Sequence, residues 1–173
     1  MFLGMKPVLF LILILAFSGL AFPQQKLAVG NPAPAFSAAG IDGAPLALDQ
    51  MHGKVVLVTF WSTTCQICHS EIPKLNQLAA GYTGKDVVFL AVTMENAGRI
   101  EPYLKHNPFD FTIVPNGLGM VLQYADKDRQ GNIDMGFPAY YLVDQNGKIA
   151  MRGNGWDKAP EINARIGSLL AGK

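Results

Sequence analysis

The chain has 173 residues, half of them hydrophobic and 16% charged, with 14 Lys+Arg against 13 Asp+Glu and a formal net charge of +1. This length suits one domain with a full core. The near-neutral balance excludes the basic footprint of a nucleic-acid binder or of a protein that coats anionic membrane, so no nucleic-acid partner is expected.

Residues 1–6 carry one positive side chain, and residues 7–22 are almost wholly apolar. This run is short for a spanning helix and reads as a signal-peptide core, with an uncleaved N-terminal membrane anchor as the alternative. Gly19-Leu20-Ala21 supplies small residues at the spacing a signal peptidase uses. No cysteine stands near the end of the segment, which excludes a lipid-anchored lipoprotein. Either reading places the domain outside the cytoplasm, periplasmic or anchored facing outward, where disulfides persist. Removing residues 1–22 takes Lys6 from the 14 Lys+Arg and leaves 13 against 13 Asp+Glu. Residues 23–34, polar and proline-bearing, read as a linker, and residues 35–173 as the domain.

Within the domain, Ile41-Asp42-Gly43 is a turn signal between two short strands. Residues 55–60 are a continuous apolar, β-branched run, the pattern of a strand buried on both faces. From Cys68, Ile72, Leu75, Leu78 and Ala79 recur at helical spacing, and Gly81 and Gly84 end that helix. A second buried strand follows at 87–93, a helix at about 97–106, a short strand at 111–114 and a short helix at 118–124. Residues 126–135 are polar and glycine-containing, hence a loop. Strands at 139–143 and 148–151 flank an Asn146-Gly147 hairpin signal. An amphipathic helix over 156–170, apolar at Ile162, Ile166, Leu169 and Leu170, closes the chain. Strands alternating with helices, then a hairpin and a helix, predict an α/β sandwich with a mixed sheet.

The only two cysteines, Cys65 and Cys68, stand where the first buried strand passes into a helix. The first turn of a helix has unpartnered N–H groups and a positive dipole end, so a cysteine there ionises more readily. A second thiol three residues on can close a disulfide, and a Cys-x-x-Cys at such a junction reads as a redox pair. The loop so closed is too short to staple a fold. Cys65-Gln66-Ile67-Cys68-His69 is also, letter for letter, a c-type haem attachment motif, with His69 as axial ligand and Met94, Met120 or Met135 as a second. Against haem stands the βαβ setting. A zinc site would need His52, His69 or His106 to join the cysteines.

Several phrases together resemble the thioredoxin superfamily, specifically its exported TlpA/ResA-like thiol-disulfide oxidoreductases. They are Val29-Gly30-Asn31-Pro32-Ala33-Pro34-Ala35-Phe36; the strand from Gly53 to Trp61; Cys-x-x-Cys-x-x-Glu-x-Pro through Glu71 and Pro73; and Phe137-Pro138-Ala139-Tyr140-Tyr141-Leu142-Val143. The resemblance implies a thioredoxin-like three-layer α/β sandwich, its mixed central sheet flanked by helices, with an N-terminal β-hairpin extension. Cys65 is then the exposed nucleophile and Cys68 the resolving thiol. Pro138 matches the family's cis-proline facing the pair, and the backbone of Phe137 is offered to an extended substrate segment. No cofactor is implied beyond the redox-active pair. The implied partners are protein thiols and disulfides, apocytochrome c among them, and a membrane electron donor or acceptor for recycling; a monomer is expected.

The departures lie at tuning positions. Thr64 stands where tryptophan is common, Gln66-Ile67 lacks the usual proline, and Thr59 replaces the buried acid of thioredoxins. Glu95 is a candidate substitute for proton transfer, with an exposed loop glutamate as the competing reading. His69 is a candidate for tuning either cysteine. The competing functions are a peroxiredoxin-like peroxidase and a non-catalytic binding module with Trp61, Phe137 and Pro138 as its apolar docking surface. Only part of a peroxidatic loop is present, with Val58 and Ser62 before Cys65.

Overall fold

Residues 27–172 are described in the computed structural model, so the expected signal peptide or anchor at 1–22 lies outside the described residues. The chain forms β1 (Ser37–Ala39), β2 (Pro45–Ala47), a 3-10 turn over Leu48–Met51, β3 (Val55–Phe60), α1 (Gln66–Ala80), β4 (Val87–Val92) and α2 (Ala97–Leu104). It continues through β5 (Thr112–Val114), α3 (Leu118–Tyr124), β6 (Asp126–Lys127), β7 (Ile133–Asp134), β8 (Ala139–Val143), β9 (Ile149–Asn154) and α4 (Ala159–Ala171).

Every residue of β3 is buried, as a continuous apolar run requires of a central strand. The sheet order is β5-β4-β3-β8-β9. β3, β4 and β5 run parallel, and β8 and β9 are added antiparallel. Val55, Leu57 and Trp61 point to one face, where they pack with Ile72 and Leu75 of α1, Ile100 of α2, and Ile162 and Ile166 of α4. Val56, Val58 and Phe60 point to the other, against Met120, Val121 and Tyr124 of α3 and against Phe36, Leu48 and Met51 around the β1–β2 hairpin. The result is the expected three-layer sandwich with its N-terminal hairpin. Among the described residues, no helix is long and apolar enough to cross a membrane.

Two expectations are corrected. Residues 126–135 are not simply a loop, because β6 and β7 pair as a small antiparallel ribbon. The Asp128 carboxylate closes its turn by accepting from the backbone N–H of Gln130 and Asn132, with Gly131 at φ 85°. Nor are residues 27–34 a free linker. Gly30 N–H donates to Ile149 O at 2.8 Å, Ile149 N–H to Asn31 O at 2.9 Å, and Ala33 N–H to Gly147 O at 2.9 Å. The segment thereby covers backbone groups that the outer strand β9 would otherwise leave unpaired.

Candidate active site

The parallel strands β3, β4 and β5 all end at one edge of the sheet, and β8 begins there, since Phe60 is the register partner of Ala139. Ala139 is also opposite Asn154 at the end of β9. Five connections therefore meet at this edge: residues 61–65, 93–96, 115–117, 137–138 and 155–158.

Cys65 is the N-cap of α1, with extended backbone (φ −85°, ψ 105°). It is joined to Cys68 in a disulfide with a Cα–Cα distance of 5.2 Å. Its sulfur accepts from Cys68 N–H at 3.1 Å, which puts Sγ where an N-cap side chain satisfies a free helix donor. The same donor and the helix dipole would favour a thiolate once the disulfide is reduced. The two sulfurs differ in access: Cys65 is half-buried, whereas Cys68 is 2% exposed and belongs to the core. Gln66 and Ile67 lie outward on the first turn, Ile67 39% exposed.

The peptide leading into Cys65 is gripped from two sides. Glu95 accepts from Thr63 N–H at 2.8 Å and from Thr63 Oγ1–H at 2.6 Å. It also accepts from Thr93 Oγ1–H at 3.2 Å and Arg99 Nε–H at 2.9 Å. Burial alone would raise the Glu95 pKa, but these four bonds together hold it below the ordinary carboxylate value. On the other side His69 Nε2 lies 2.8 Å from Thr63 O. A carbonyl can only accept, so Nε2 carries the proton. The imidazole packs on Tyr103 at 5.0 Å, and Tyr103 on Trp61 at 5.6 Å. Glu95 is therefore not an exposed loop residue: its side chain is 14% exposed, and its carboxylate is bonded to the loop before Cys65.

The core on this side of the sheet also holds buried polar groups. Glu71, one helical turn beyond Cys68 on the inward stripe of α1, is wholly buried. Its carboxylate accepts from Lys74 Nζ at 2.9 Å and from Asp157 N–H at 3.0 Å. Thr59 and Tyr140 are register partners on β3 and β8. Their buried hydroxyls have no hydrogen-bond partner among the described residues, nor do Trp61 Nε1 and Tyr103 Oη. Burial, with the Glu71 charge adding to it, pushes the Tyr140 phenol well above its usual range. A carboxylate on the apolar face of an otherwise regular helix was the available signal for Glu71.

Of the expected docking residues, Phe137 is half-buried beside the core and the Phe137–Pro138 peptide is cis at the site edge. Trp61 is corrected: it is 0% exposed and sealed against Tyr103 and Phe109, so it offers no docking surface. The residues do not fit a c-type haem, because Cys68 is inside the core and His69 Nε2 is committed to Thr63 O. Met120, one proposed axial ligand, is buried in the opposite face of the sheet. Among the described residues, no group of three or more His, Cys, Asp or Glu is placed to hold a metal ion.

An N-cap disulfide, one sulfur accessible and one sealed, at the end of the central strand of this sheet defines a thioredoxin-like thiol-disulfide oxidoreductase. The chain belongs to the Redoxin family, whose model matches residues 28–166. It is 29% identical over 153 residues to the thiol-disulfide oxidoreductase ResA of Geobacillus thermodenitrificans, covering 85% of this chain and 84% of that one. It is 31% identical over 124 residues to the thioredoxin-like protein YneN of Bacillus subtilis, covering 69% and 68%. Its fold matches the crystal structure of a thiol:disulfide interchange protein DsbE from Chlorobium tepidum with a TM-score of 0.67 at 26% identity, covering 83% of this chain and 99% of that one.

Proposed function

We propose that the protein exchanges disulfides with extracytoplasmic protein substrates, Cys65 acting as nucleophile and Cys68 as resolving thiol. The observation that carries this reading is the asymmetry of the pair: Cys65 is accessible and capped by a helix donor, and Cys68 is 2% exposed. In the reducing direction the Cys65 thiolate attacks a substrate disulfide, forming a Cys65–substrate bond and releasing one substrate thiolate. Cys68, deprotonated, then attacks Cys65 Sγ, releasing the second substrate thiolate and leaving the Cys65–Cys68 disulfide. Two electrons pass to the substrate, and the two protons of the dithiol balance the two thiolates formed. The oxidising direction reverses these bonds, and a membrane electron donor or acceptor resets the pair.

The cis Phe137–Pro138 segment supplies backbone groups against which an extended substrate segment lies. The apolar segment at residues 7–22 supports export to the periplasmic side, whether cleaved or retained as an anchor. Apocytochromes c awaiting haem attachment are the substrate class suggested by the ResA-like resemblance. The test is insulin-disulfide exchange together with trapping of a mixed disulfide by a Cys68→Ser variant in the cell envelope. Exchange that is lost in Cys65→Ser supports the reading; wild-type protein that exchanges at no poised potential overturns it. Peroxide consumption outpacing disulfide exchange would instead indicate a peroxidase.

A further inference from the structure

We infer that Trp156 is a docking platform for an apolar side chain of the substrate polypeptide, close to the substrate's reacting cysteine. This rests on the disulfide-exchange reading of Cys65 and Cys68 and extends it to substrate selection. Trp156 is 64% exposed, more than any other exposed large hydrophobic residue among those described. Exposure alone says little. What distinguishes this indole is how firmly the chain on either side of it is held.

On one side, Gly155 N–H donates to Pro138 O at 2.8 Å, tying the loop to the cis Phe137–Pro138 peptide at the same end of the sheet as Cys65. On the other, Asp157 N–H donates to the wholly buried Glu71 at 3.0 Å. Asp157, at φ 57°, also accepts from Lys74 Nζ at 3.1 Å. The Lys74 ammonium stands 5.9 Å from the centre of the indole, within cation–π range. A buried carboxylate, a backbone bond to Pro138 and a lysine thus fix an indole that stays 64% exposed among the described residues. Presentation of a rigid aromatic at low entropic cost is what a recognition residue requires.

The direction of the substrate follows from continuity. An extended segment lying along Phe137–Pro138 with its cysteine at Cys65 continues past Gly155, and its neighbouring side chains meet Trp156. The occupant is therefore an extended stretch of a substrate protein bearing a leucine, phenylalanine or similar residue within a few positions of its cysteine.

The experiment compares mixed-disulfide peptides that differ only in leucine or serine at positions flanking the cysteine, using wild-type, Trp156→Ala and Trp156→Phe proteins. Each rate is normalised to the same variant's rate with an aromatic small-molecule disulfide. Wild type is expected to favour leucine by about tenfold in kcat/KM, Trp156→Ala to lose that ratio, and Trp156→Phe to keep most of it. Trp61 is buried, so quenching of tryptophan fluorescence by iodide reports chiefly on Trp156. Quenching should fall when the leucine peptide is trapped on Cys68→Ser. An equal leucine-to-serine ratio in wild type and Trp156→Ala, or unchanged quenching in the trapped complex, overturns the inference while leaving disulfide exchange intact. Absence of exchange with any of the disulfides overturns the exchange reading itself, and this inference with it.

Discussion

Replacing Glu95 tests whether the loop before Cys65 is held as the geometry implies. In Glu95→Ala, Thr63 N–H loses a charged acceptor at 2.8 Å and Thr63 Oγ1–H one at 2.6 Å. A part-buried donor deprived of its partner costs about 1–3 kcal/mol. The Arg99 contribution is small, roughly 0.3–0.5 kcal/mol, because that guanidinium is 61% exposed while the carboxylate is 14% exposed. The expected loss is about 2–3 kcal/mol, or roughly 5–10 °C in Tm for a chain of this size.

Glu95→Gln keeps an acceptor for Thr63 N–H and removes the charge, so it should lose about half as much. The folded-state pKa of Glu95 lies below its ordinary value of 4.5. The unfolded chain therefore takes up this proton first, and the carboxylate's contribution is complete above about pH 4.5 and declines as pH falls through the lower folded value. The assay is urea denaturation of the oxidised protein at pH 7 and at intervals down to pH 3. The gap between wild type and Glu95→Gln should hold to about pH 5 and narrow below it. A Glu95→Ala loss under about 0.5 kcal/mol, or a gap that widens with acid, would refute the clamp.

Other outcomes follow from the same geometry. In the reduced protein at neutral pH, iodoacetamide should label Cys65 at least about tenfold faster than Cys68, read by peptide mass mapping; faster labelling of Cys68 would exchange their roles. Trp61→Ala should cost about 3–5 kcal/mol in denaturation because the buried indole packs on Tyr103 and Phe109, whereas Trp156→Ala should cost under about 1 kcal/mol. Equal losses would contradict the burial assignments. Gly117→Ala places a Cβ 2.4 Å from Val92 Cγ1 and 3.2 Å from Thr93 O, and is expected to destabilise by about 1–3 kcal/mol in the same assay; a neutral result would show that β4 gives way there.

The central strand, the helix after it and the redox pair were legible because each rests on signals within a few residues. Val55 to Phe60 declare a strand buried on both faces, and Cys65 and Cys68 announce a helix start. The ribbon at 126–135 was missed because its two-residue strands carry no periodicity and its turn is closed by the side chain of Asp128. The covering of β9 by residues 27–34 was missed because backbone bonds between distant segments leave no mark on side-chain pattern.

At the site the division is sharper. The pair, its placement at a helix N-terminus and, through resemblance, the cis-proline are legible in the chain alone. The sequence did not determine which tryptophan is exposed: a residue beside the motif, Trp61, proved to be core, and a residue far downstream, Trp156, proved to be surface. Only the tertiary structure brought Glu95 to Thr63, 32 positions away, and Asp157 to Glu71, 86 positions away. The reason is physical. Propensity, capping and periodicity act over a turn or a strand, whereas the partner of a buried carboxylate is chosen by strand order and by the edge of the sheet at which the strands end.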